Sequence, residues 1–88
     1  MTAPSRAECL RLAEGARKQA RHAWDLYESR FRMWDSFAKL HGHTAGQTLM
    51  AGHFAEISRK TGEFWNMVAA EYQRAADASP RVPEPSDG

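Results

Sequence analysis

Proline is missing from residues 5–79; the four prolines stand at Pro4, Pro80, Pro83 and Pro85. Nothing in that interval forces a helix to stop, since proline is the residue that removes a helical amide and clashes with the preceding turn. Cysteine occurs once, as Cys9, so no intrachain disulfide can offset the small size of an 88-residue chain. An excess of one charge is also lacking: 12 Lys and Arg stand against 11 Asp and Glu, a net charge of +1. That balance gives no electrostatic case for nucleic acid or for an anionic membrane surface. Long apolar runs are absent too. The first residues, MTAPSRAECLRLAEG, do not read as a signal peptide, and no segment approaches membrane-spanning length. The expectation is one small cytoplasmic domain with no membrane contact and no cofactor.

What is present is helical. Ser5-Arg6-Ala7-Glu8 matches a capping box, with Thr2 and Pro4 as an alternative start, and Gly42 suits the position just past a helix end. Thr44-Ala45-Gly46-Gln47 offers a second box. The spacing predicts a first helix over 5–41, a turn at 42–44 and a second helix over 45–78. A short connection makes this an all-α antiparallel hairpin. Residues 79–88, with three prolines, read as a disordered tail of polyproline character; Pro80-Arg81-Val82-Pro83 also fits a PxxP pattern.

Apolar residues recur every three or four positions. The first helix carries Cys9, Ala13, Ala16, Ala20, Trp24, Tyr27, Phe31, Trp34, Ala38 and His41, widened by Leu12, Leu26, Met33, Phe37 and Leu40. Gly46, Met50, Phe54, Ile57, Thr61, Phe64, Val68, Tyr72 and Ala75 form the main stripe of the second, flanked by Trp65 and Ala69 on one edge and by Leu49 and Met67 on the other. Two helices alone enclose no interior, and nine aromatic side chains are too many for a solvated monomer. A partner is therefore expected. The simplest is a second copy related by two-fold symmetry, giving a four-helix bundle whose interface uses Trp24, Tyr27, Phe31, Trp34, Phe54, Ile57, Phe64 and Trp65. A different helical protein is the competing partner.

Three sets of residues carry candidate chemistry. His41 and His43 flank the turn and are the candidate metal ligands; two ligands need a second copy to complete a site. His53 should lie about 12 Å from His41 along the hairpin by helical rise, too far to share an ion. Arg17, Lys18 and Arg21 form the one basic concentration, a candidate nucleic-acid contact in a dimer, although no aromatic residues interleave with them. Arg30, Lys60, Thr61 and Glu71 stand at the stripe edges as polar candidates, without a nucleophile–base pair. Gly46, Gly52 and Gly62 fall within the second helix, each costing about 1 kcal/mol against alanine. The register sets Gly52 near Trp34 and Gly62 near Trp24, so close approach of an indole would explain retaining them.

In size, helical hairpin and aromatic content the chain resembles the WXG100 family of small secreted helical-hairpin proteins. That family places Trp-x-Gly in the inter-helix turn and Tyr-x-x-x-Asp/Glu after the second helix. Here the turn is His41-Gly42-His43 with no adjacent tryptophan. Tyr72 is followed four residues later by Ala76, with Asp77 one position late. The resemblance covers architecture and assigns no residue a role. The function expected from the sequence is a non-enzymatic protein-interaction or regulatory module acting as a homodimer.

Overall fold

The computed structural model describes residues 4–78. The tail at 79–88 and its PxxP pattern lie outside the described residues. Two helices, α1 (Arg6–His41) and α2 (Gly46–Ala78), pack against each other as an antiparallel hairpin. No described helix is long and apolar enough to cross a membrane.

The helix ends follow from local chemistry. Ser5 is the N-cap of α1, and its Oγ accepts a hydrogen bond from the Glu8 amide at 3.1 Å. Gly42 ends the helix with φ +88° and donates its N–H to the Ala38 carbonyl at 2.9 Å. With ψ 159°, that backbone state is one a Cβ disfavours strongly. We therefore expect Gly42→Ala to lower the unfolding free energy by about 1–3 kcal/mol, read from urea denaturation. The second helix starts one residue later than the capping-box reading places it. The Ala45 carbonyl accepts from the Leu49 amide at 3.0 Å, and Thr48 Oγ1 donates back to the Gly42 carbonyl at 2.8 Å.

The seam between the helices is made of small side chains. From α1 it buries Cys9, Ala13, Ala16, Ala20, Ala23 and Ala38; from α2 it buries Thr48, Ala51, Ala55, Ser58, Gly62, Ala69 and Ala76. The α2 set, with half-buried Trp65 and Tyr72 filling the gaps, advances in alternating steps of three and four throughout, the spacing of a coiled-coil contact line. Small residues let two helix axes approach toward the short end of the usual 8–10 Å range. Of the stripe read as the main stripe of α2, Tyr72 falls on this seam and the large residues from Met50 to Val68 lie beside it. Phe54 is 46%, Ile57 43% and Phe64 51% exposed, whereas Ala13 and Ala76 are fully buried.

Glycines and arginines tune the fit. A Cβ at Gly62 would lie 2.8 Å from Trp24 Cε2 and Nε1, and one at Gly52 3.0 Å from Trp34 Cδ1. These contacts account for two of the three glycines of α2 and fix the register, because ten residues back along α1 match ten residues on along α2. Nothing lies within 4 Å of a Cβ at Gly46. Three arginines of α1 then strap the seam. Arg6 Nη1 donates to the Ala76 carbonyl at 2.8 Å, Arg17 Nη2 to Gln73 Oε1 at 2.7 Å, and Arg30 Nη1 to Ser58 Oγ at 2.6 Å. Thr48 and Ser58, the two buried polar seam residues, are both hydrogen-bonded. No described buried side-chain polar atom lacks a partner.

Candidate interaction face

With the seam assigned to small residues, the two flanks of the hairpin differ. On one flank, Leu26, Arg30, Met33, Phe37 and Leu40 of α1 share a line of alternating four- and three-residue steps. Met50, Phe54, Ile57, Thr61, Phe64 and Val68 form the matching line on α2. Arg30 ties the two lines together, since its guanidinium sits 5.6 Å from the Phe54 ring centroid and Nη1 reaches the Phe54 carbonyl at 3.3 Å. Leu26, Met33, Leu40, Met50, Phe54, Ile57 and Phe64 are all exposed. Thr61 does not make the line polar, because its Oγ1 donates to the Ile57 carbonyl of its own helix at 2.8 Å. Arg30 is the one ionisable side chain on either line.

The face is large. By the register it runs from Leu40 and Met50 at the turn to the level of Val68, about 33 Å at 1.5 Å per residue. Each helix adds about 9 Å of width, so the α1 line from Leu26 to Leu40, about 21 Å, and the α2 line from Met50 to Val68, about 27 Å, give about 430 Å² in projection. That lies within the range of the largest apolar patch on a typical monomer, and is about half of the ~800 Å² per partner of a standard interface.

The other flank is aromatic and charged. Trp24, Tyr27, Phe31 and Trp34 form a chain of ring contacts at 5.6, 6.0 and 5.5 Å, continued by His43 on Trp34 at 5.7 Å. Tyr27, Phe31, Trp34, Gly52, Ala55 and Glu56 line an open groove there. Nearby on α2, Arg59 bonds both Glu56 and Glu63. The hydrogen bond from Arg59 holds the Glu56 carboxyl below the usual carboxylate range, and Glu56 in turn pushes the Arg59 guanidinium up.

The residues singled out from sequence distribute as follows. Trp24, Tyr27 and Trp34 are half-buried on the aromatic flank, with Phe31 exposed among them. Phe54, Ile57 and Phe64 stand exposed on the apolar flank, with half-buried Trp65 edge-on to Phe64 at 5.3 Å. Seven of the eight thus divide between two faces, and Trp65 falls on the seam between them. His41 and His43 are both exposed, and each packs against a different ring, His41 on Phe37 at 6.1 Å and His43 on Trp34. Among the described residues no group of three or more His, Cys, Asp or Glu is placed to hold a metal. Arg17 is engaged by Gln73 and, at 3.6 Å, by Glu14, while Lys18 and Arg21 are exposed on the same helix.

Sequence reasoning passed over Ala23, Thr48, Ala51, Ala55 and Ser58. Their signal was available as small residues in heptad steps. Comparison with protein-family models, with curated proteins and with solved structures gives no match to this chain.

Proposed function

We propose that this chain is one half of a four-helix bundle, a non-enzymatic protein-interaction module whose apolar face is covered by a second helical pair. The carrying observation is the pair of heptad-spaced lines of large apolar side chains left outside the seam. Burying a Leu, Ile, Phe or Met side chain contributes on the order of 1.5–3 kcal/mol, so seven exposed residues of this kind represent a substantial drive to associate. Their alternating spacing suits a helix rather than a strand or an extended peptide, because only helical knobs return every three and four residues. A second copy supplies the other half with two-fold symmetry; a different helical chain supplies it without.

Light scattering tests the reading. The mass of the folded chain is expected to rise with concentration through the micromolar range and above, as an uncovered apolar face finds copies of itself. A chain that stays strictly monomeric and helical at millimolar concentration, both as wild type and with the Arg30 charge removed, would contradict it.

A further inference from the structure

Resting on the reading of the apolar flank as a docking face, the position of Arg30 says what kind of helical chain the face is built for. Arg30 lies about 15 Å from the turn end of the face and about 18 Å from its far end, by helical rise. It also sits between the two helices, bonded to Ser58 and lying over Phe54. It is therefore close to the middle in both directions.

A two-fold axis that lays the whole face on itself brings two guanidinium groups together near that axis. This holds whether the axis runs along the bundle or across it. Two like charges excluded from water repel strongly, and neither line of the face offers a carboxylate to separate them. Both hydrogen bonds that Arg30 makes among the described residues use Nη1. The Nη2–Nε edge is left, and a carboxylate can take that edge with two parallel bonds.

We infer that the occupant of this face is a helical chain different from this one, apolar at heptad spacing and carrying an Asp or Glu that meets Arg30. A second copy fits the apolar surface and is opposed at its centre.

Sedimentation equilibrium on the chain itself tests this, with Arg30→Glu supplying the missing carboxylate on an otherwise identical face. An equimolar mixture of wild type and Arg30→Glu is expected to associate at least about tenfold more tightly than wild type alone, a difference of about 1.4 kcal/mol. Arg30→Gln, which removes the charge and keeps a donor, should also self-associate more tightly than wild type. It carries the test if Arg30→Glu loses helicity by circular dichroism. If wild type self-associates as tightly as the mixture and as Arg30→Gln, the carboxylate-bearing partner is overturned while the docking face stands. If no form associates, the docking face fails, and the inference with it.

Discussion

Gly62→Leu is expected to destabilise the hairpin by about 1–3 kcal/mol, although leucine is far the better helix former. In an isolated helix the change would gain roughly 0.8 kcal/mol. Here even the first carbon of the new side chain falls 2.8 Å from two atoms of the Trp24 indole. The indole is wedged on the seam between its own helix and α2, so it or the helix axes must move. Gly15→Ala is the control: nothing lies within 4 Å of its Cβ, and it should stabilise the chain by about 0.5–1 kcal/mol. Urea unfolding followed by far-ultraviolet circular dichroism reads both. Opposite signs are expected; stabilisation by both would mean that Trp24 does not set the helix separation.

The second large effect concerns the apolar face. Ile57→Asp combined with Phe64→Asp should abolish association while leaving the hairpin folded. Each lost contact removes on the order of 1.5–3 kcal/mol, and each carboxylate must also be stripped of water in the complex. Together they should weaken binding more than about a hundredfold. The isolated chain should change by no more than about 1–2 kcal/mol, mainly from the poorer helix propensity of aspartate, because both side chains are already half in water. A matched change in the seam behaves in reverse. Ala13 is fully buried in the seam, so a larger side chain there is expected to disturb the monomer first.

The sequence made the helices legible because their ends are chemical: Ser5 and Glu8 at one, Gly42 at the other, with no proline between. The pairing of Gly62 with Trp24 and Gly52 with Trp34 also followed from counting outward from the turn. The identity of the seam did not follow. Two lines on α2, one of Ala, Ser, Thr and Gly and one of Met, Phe, Ile and Val, share the same period, so periodicity cannot choose between them. Ranking by hydrophobicity favours the larger line. Within one hairpin, close packing of small residues decides the matter, and the larger line is left for a second contact. Arg30 was visible as a polar residue at a stripe edge. Its place at the centre of a face became readable only when the seam was known, through its bonds to Ser58 and Phe54.

The same distinction explains why the eight aromatic and aliphatic residues grouped as one interface divide between two flanks, with Trp65 on the seam. Aromatic contacts from Trp24 to Trp34 stack along α1 beside the two glycines, whereas Phe54, Ile57 and Phe64 face away from that groove. Of the two, only the flank with Phe54, Ile57 and Phe64 has matching heptad lines on both helices, which is what a second helical pair requires.

The most direct measurement is sedimentation equilibrium of the Arg30→Gln chain across the micromolar range, run beside the same chain carrying Ile57→Asp and Phe64→Asp. The expectation is a dimer for the first and a monomer for the second, both with the hairpin folded. Two monomers, or two dimers, would contradict it.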